Sequence, residues 1–248
     1  MIETEDADGV RLIAFNRPEA RNAFNVAMYR TVADALEEAG SDDTVHAVVL
    51  TGRGSAFSAG QDLREMGEIA AGRAPADTGA GFPRLLDSLQ GCPKPLFAAV
   101  NGVGVGLGFT MLGHCDIVLM DEGARLRVPF AELGVPPEAG SSYLFPARMG
   151  WQEAARVLLC SEWVTAPRAV DTGVALRVCP SGTVVDETMT LAKQVAAYPP
   201  AAVREIKALM RAAQGDAVGN ARSRENEAYG RLLGSAATRD ALDRWGTT

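Results

Sequence analysis

Leu96-Phe97-Ala98-Ala99-Val100 runs directly into Asn101-Gly102-Val103-Gly104-Val105-Gly106-Leu107-Gly108, and then into Phe109-Thr110-Met111-Leu112-Gly113. Positions 95–113 hold no charged side chain, a length close to that of a membrane-spanning helix. Five glycines, Asn101 and Thr110 interrupt the stretch, and its pattern changes midway from strand-like to helix-like. The reading is a buried strand, a tight glycine turn and a buried helix, with no membrane span. The glycines miss the dinucleotide spacing: counting from Gly102 the last glycine position is Leu107, and from Gly104 it is Phe109. No Gly-Lys-Ser/Thr occurs either, so a P-loop is absent from the sequence. Alternating glycines let backbone approach backbone, or let a ligand approach backbone N–H groups, and both readings stand.

The flanking segments repeat the strand-then-helix order of an α/β protein. Asp8-Gly9 predicts a tight hairpin turn before the β-prone run at 10–15. Asn25 is placed to cap a helix in which Met28, Val32, Ala35, Leu36 and Ala39 recur at helical spacing. Apolar strands are expected at 45–50, 96–100 and 115–120, and the Gly-, Ala-, Pro- and Asp-rich run at 72–81 reads as a mobile surface loop. Composition shifts at Tyr198-Pro199-Pro200, which divides a core at 1–197 from a helical region at 198–248, with Gly215, Gly230 and Gly234 punctuating its helices.

With 248 residues, 47% hydrophobic and 22% charged, the chain is an ordinary globular protein that buries enough surface to need no disulfide staples. Its net charge of −7 argues against nucleic-acid partners, which require a basic surface. Cys92, Cys115, Cys160 and Cys179 are widely spaced, as expected of thiols in a reducing compartment, and two histidines without clustering offer no zinc site. The acidic start lacks the apolar core of a signal peptide, and Gly246-Thr247-Thr248 is not a peroxisomal Ser-Lys-Leu signal, so a cytoplasmic location is expected.

Two further segments carry chemistry. Ala56-Phe57-Ser58-Ala59-Gly60-Gln61-Asp62-Leu63 follows a strand and opens a helix. That arrangement leaves backbone N–H groups free for an anion or carbonyl oxygen, or makes a plain tight turn. In Val135-Pro136-Pro137-Glu138-Ala139-Gly140-Ser141-Ser142, Glu138 precedes a helix. It reads either as a solvated first-turn glutamate favoured by the helix dipole or as a carboxylate fixed by two rigid prolines.

In these places the chain resembles the crotonase (enoyl-CoA hydratase/isomerase) superfamily. Asn16-Arg17-Pro18 with Asn22-Ala23-Phe24, the segments at 56–63 and 101–108, Cys115-Asp116-Ile117, and Thr165-Ala166 through Gly173 fall in that family's order. Pro129-Phe130, then Pro137-Glu138-Ala139-Gly140-Ser141-Ser142-Tyr143 with Phe145-Pro146, look like the peroxisomal-type Δ3,Δ2-enoyl-CoA isomerases. The resemblance implies an α/β fold, a spiral of ββα turns followed by helices that build trimers, often paired as hexamers. It also implies an acyl-CoA thioester substrate and no separate cofactor. Its oxyanion hole falls on the backbone N–H groups of Gln61 and Leu107. CoA is bordered by Ala59, Asp62 and Leu63 on one side and by Arg21 and Ala23 on the other. Lys207 and Arg211 stand as possible phosphate contacts, or as an exposed basic helix face.

The departures from the family narrow the chemistry. Its hydratases use two glutamates, whose positions match Thr110 and Phe130 here. Neither acts as a carboxylate acid or base, and hydration requires a water to be held and deprotonated. Glu138 matches the catalytic glutamate of the isomerase branch, with Thr110 and Phe130 left to line the acyl pocket. An isomerase is therefore expected; a hydratase or other acyl-CoA reaction, or a non-catalytic acyl-CoA-binding module, are the alternatives.

Overall fold

The computed structural model describes residues 1–73 and 81–246; most of the run expected as a mobile loop lies at 74–80, outside the described residues. The chain opens on an antiparallel hairpin of β1 (Ile2–Ala7) and β2 (Val10–Phe15). Asp8 and Gly9 both adopt positive φ (52° and 77°), as a two-residue turn matched to strand twist requires. In α1 (Val26–Ser41), the Asn25 side chain accepts the N–H of Met28 over 2.9 Å, and all five apolar positions at helical spacing are buried.

From there strands of two sheets alternate. β3 (Ala47–Gly52) leads to β4 (Ala56–Ser58), then α2 (Leu63–Ala70) and α3 (Gly81–Gly91). β5 (Leu96–Val100) leads to β6 (Val103–Val105) and α4 (Leu107–Thr110); β7 (Ile117–Asp121) leads to β8 (Arg125–Arg127) and α5 (Phe130–Leu133). After α6 (Ser141–Met149) and α7 (Trp151–Cys160) come β9 (Val164–Thr165), α8 (Ala166–Asp171), β10 (Arg177–Cys179) and α9 (Val184–Ala196). The larger sheet has the order β1-β2-β3-β5-β7-β10, parallel beyond the first hairpin; the smaller runs β4-β6-β8-β9. Each return through both sheets is one ββα turn of a spiral.

The continuous apolar strands follow from burial on both faces. Ala47 and Val49 of β3 and Phe97 and Ala99 of β5 pack with Val184, Ala192 and Ala196 of α9. Val48, Leu50, Leu96, Ala98 and Val100 point the opposite way into the main core. At the corner between sheets, a Cβ on Gly102 would lie 2.2 Å from the carbonyl oxygen of Ser55. Successive corners stack backbone on backbone there, and only glycine fits.

The strands expected at 45–50 and 115–120 begin two residues later, because Val45 and Cys115 are still held in turns by the carbonyls of Asp42 and Leu112. Residues 56–58, read as part of a strand-to-helix turn, form a strand of the second sheet. Beyond α9 come α10 (Pro200–Ala212), α11 (Ala217–Leu232) and α12 (Ala236–Gly246). Gly230, expected to punctuate this region, lies inside α11. Helix α11 packs on α6, and α12 packs on α2 and α5. Cys92, Cys115 and Cys179 are buried and Cys160 is exposed; all four are free thiols.

Candidate active site

Two backbone loops meet at Gly60. The carbonyl of Gly60 accepts the N–H of Phe24 (2.7 Å), and the N–H of Asp62 donates to the Phe24 carbonyl (2.9 Å). That bridge leaves the N–H of Gln61, between them, outside the pairing. Gly60 has φ +83°, and a Cβ there would lie 2.4 Å from the oxygen of Val105 and 3.3 Å from the nitrogen of Leu107. The absence of a side chain thus brings the Leu107 amide, in the first turn of α4, against the backbone next to Gln61. First-turn amides have no partner within their helix. Gln61, Leu107 and Ala59 all line one cavity of ≈ 380 Å³.

The cavity is walled mainly by apolar side chains, among them Met66, Phe82, Phe130, Leu133 and Leu233. Glu138 opens onto it. Its Oε1 accepts a 2.7 Å hydrogen bond from the hydroxyl of Thr110. Burial pushes the carboxyl up to about 7, the Thr110 hydrogen bond opposes the rise, and the negative charge of Glu225 adds to it. This is neither the solvated glutamate nor simply a proline-fixed one. Thr110 is fully buried and holds the carboxylate from behind, whereas Phe130 does line the cavity.

The turn that carries Glu138 is strained and strongly tied. Ala139 and Gly140 have φ of +60° and +73°, and the first is rare for a residue with a side chain. His114 Nε2 lies 2.8 Å from the Ala139 carbonyl, so that nitrogen carries the proton. Burial lowers His114 to about 4, which keeps the ring neutral at pH 7. From α11, Glu225 accepts the N–H groups of Gly140 (2.7 Å) and Ser142 (2.8 Å). Tyr29 and Tyr229 also line the cavity, and burial, with the Glu138 charge in support, raises both phenols. None of His114, Glu225, Tyr29 and Tyr229 was legible as a site residue. They reach Glu138 from distant elements, and Glu225 sits in a polar run, Arg222-Ser223-Arg224-Glu225-Asn226-Glu227, that reads as solvated.

A second cavity of ≈ 460 Å³ shares Ala59, Gln61 and Leu63 with the first and adds Ala23, Asp62, Arg17 and Arg64. Arg17 pairs with Asp62 over 2.8 Å and also donates to the Ala23 carbonyl. Asp62 caps α2 through the N–H of Arg64. Arg21 is exposed and outside the residues that line this cavity; its neighbour in sequence space, Arg17, takes the inward place. Lys207 is neither an exposed basic face nor free for phosphate. It is 6% exposed, pairs with Asp116 at 2.6 Å and donates to the Lys94 carbonyl. Arg211 likewise donates to the carbonyls of Gln90 and Cys92. Both side chains anchor α10 to the core.

The site is thus a largely apolar cavity, lined by Gln61 and Leu107 of the two glycine-shaped loops, with the Glu138 carboxyl, raised by burial, on its wall. A family profile described as "Enoyl-CoA hydratase/isomerase" matches residues 5–245, and the chain belongs to that family of enzymes. It is 38% identical over 208 residues to enoyl-CoA delta isomerase 2 of Homo sapiens, an alignment covering 82% of this chain but 52% of the human protein. It thus spans about half the length of that relative. It is also 35% identical to the 2,3-dehydroadipyl-CoA hydratase of Escherichia coli, across 93% of this chain and 88% of that protein. Among solved structures, an enoyl-CoA hydratase/isomerase from Pseudoalteromonas atlantica superposes with a TM-score of 0.93 at 32% identity, covering 99% of this chain and 96% of the other. The crotonase fold expected from sequence is the fold found. No helix among the described residues is long and apolar enough to cross a membrane.

Proposed function

We propose that the protein is a Δ3,Δ2-enoyl-CoA isomerase acting on a 3-enoyl-CoA, with coenzyme A entering only as part of the substrate. The observation that carries this reading is the state of Glu138. One of its oxygens is held by Thr110, the other has no hydrogen bond to a described residue, and its proton affinity is near neutral. The other carboxylate on the cavity wall, Glu225, has both oxygens taken by backbone N–H groups.

In the proposed reaction the thioester oxygen sits between the N–H groups of Gln61 and Leu107. Glu138 removes a proton from C2, and the electron pair delocalises into a dienolate whose charge rests on that oxygen. The carboxylic acid then returns the proton to C4, and the double bond moves from C3–C4 to C2–C3. One carboxylate serves both transfers. Each oxyanion donor is worth about 3–4 kcal/mol and positioned general acid–base catalysis roughly 10²–10⁴-fold, so the amides supply the larger share. The CoA moiety is assigned to the cavity bounded by Arg17, Ala23, Asp62 and Leu63, with the acyl chain in the cavity beneath Phe130. A homotrimer or a dimer of trimers is part of the same proposal, supported by the exposed apolar Ile206, Leu209 and Met210 on α10.

A hydratase is the second reading, favoured by similarity to the bacterial hydratase over nearly the whole chain. Thr110 and Phe130 at the positions of the hydratase glutamates speak against it. Incubating the protein with a 3-enoyl-CoA and, separately, its 2-enoyl isomer separates the two. Conjugation without 3-hydroxyacyl-CoA supports the isomerase; rapid water addition to the 2-enoyl substrate overturns it.

A further inference from the structure

We infer that Glu225 is a positioning residue for Glu138: its carboxylate, reaching from α11 to the N–H groups of Gly140 and Ser142, fixes the left-handed turn that presents Glu138 to the cavity. The inference rests on the role proposed for Glu138 and extends it to a residue of the C-terminal helices.

The geometry is specific. Glu225 is 5% exposed, and its two oxygens each take a different backbone donor, Oε2 from Gly140 and Oε1 from Ser142. These donors flank the start of α6, where first-turn amides have no partner within the helix and a negative charge is favoured. Gly140 itself, the residue before α6, provides no side-chain cap. Glu225 is therefore a cap supplied from another helix. It closes one side of the Glu138-Ala139-Gly140 turn while His114 closes the other through the Ala139 carbonyl. With Ala139 at φ +60°, the turn carries strain that such contacts must hold. Arg222, one turn earlier on α11, packs against Gly140 and is tied to Asp87 at 2.8 Å and to Gln90, which fixes the helix.

Glu225 also acts through its charge. The groups facing the Glu138 turn are Tyr29 from α1, Thr110 from α4, His114 from the turn after it, and Arg222, Glu225 and Tyr229 from α11. Glu225 is the anion among them, and it adds to the rise that burial gives Glu138. The arrangement thus makes a near-neutral proton acceptor from a turn and a helix that meet only in the folded protein.

The test reads the Glu138 carboxyl directly, by ¹³C NMR titration of protein labelled at the glutamate side-chain carboxyl, with the signal assigned by its loss in Glu138→Gln. The kcat of each variant with a 3-enoyl-CoA is measured alongside. Glu225→Gln removes the charge and sets an amide N–H₂ against one backbone donor. It is expected to lower the Glu138 titration by on the order of half a unit to one unit and kcat by roughly tenfold or more. Glu225→Asp keeps the charge but falls one methylene short, so kcat should fall while the Glu138 titration stays near that of the parent. A purely structural role lowers kcat or stability without moving the titration. An unmoved Glu138 signal in Glu225→Gln, or parental kcat in both variants, overturns the inference. If Glu225→Gln is too unstable to titrate, Glu225→Asp decides: a fall in kcat with parental Tm and parental acyl-CoA affinity sustains the inference, and parental kcat, or a fall in kcat accompanied by a matching loss of Tm, overturns it. The titration requires no turnover: a response to Glu225 in a protein that does not isomerise would sink the proposed reaction and leave the positioning role standing.

Discussion

The hydroxyl of Thr110, a fully buried residue, donates to Oε1 of Glu138 across 2.7 Å. The threonine supports the carboxylate from within the core. Thr110→Val keeps the shape and removes the donor. A hydrogen bond to a charged group contributes about 1.5–3 kcal/mol, so the acid limb of the kcat/KM profile should move up by on the order of one unit. The direction follows from the bond favouring the ionised carboxyl. A pH–rate profile that does not move upward in this variant would contradict the role of Thr110.

Stability should respond to pH with two opposed slopes. Glu138, ordinarily 4.5 and about 7 when folded, holds a proton that the unfolded chain has lost, so it subtracts stability as pH rises through that window. His114, ordinarily 6.5 and about 4 when folded, is protonated in the unfolded chain only, so stability is gained as pH rises from about 4 to 6.5. Glu138→Gln should therefore match the parent's thermal stability near pH 4 and exceed it at pH 8 by about 1–3 kcal/mol, after allowance for the open cavity. Calorimetric melts across that range check it; an equal difference at both ends would rule the buried-charge account out.

Gly60→Ala tests the junction of the two loops. The new Cβ meets the Val105 oxygen in a backbone conformation that side chains rarely adopt. Loss of alignment between the Gln61 and Leu107 amides should cost kcat roughly 10²-fold or more, with a lowered Tm. A variant that retained both parental kcat and Tm would show that the loops do not need this contact.

Arg17→Ala tests the adjoining cavity. Arg17 braces Asp62 and the Ala23 carbonyl and lines the second cavity, not the one that holds Glu138. The expected result is a KM several-fold higher with kcat nearly unchanged, as when uniform binding is removed. A fall in kcat with constant KM would place Arg17 in the chemical step instead.

The sequence-to-structure correspondence is strongest where local chemistry alone decides. The Asp8-Gly9 turn, the Asn25 cap, the buried face of α1 and the strand at 96–100 follow from residue type and spacing. Gly60 and Gly102 are visible as turn glycines, but the backbone each lies against emerges only in the fold. Less legible is anything that depends on which distant groups a fold brings together. Lys207 and Arg211 look like a solvated basic face, because nothing local reveals that Asp116 and the carbonyls of Gln90 and Cys92 await them. Gly230 looks like a helix stop, yet the packing of α11 carries the helix through it. Glu138 was visible as a candidate, but its neighbours Thr110, His114 and Glu225 acquire their roles only when α4, the turn after it and α11 converge on one loop.

The most direct measurement is the conversion of a 3-enoyl-CoA by the parent protein and by Glu138→Gln, with acyl-CoA affinity determined calorimetrically in the same preparations. The parent is expected to form the conjugated 2-enoyl-CoA without accumulating 3-hydroxyacyl-CoA. The variant should be slower by roughly 10³-fold, with nearly unchanged affinity. Parental conversion by correctly folded Glu138→Gln would contradict it.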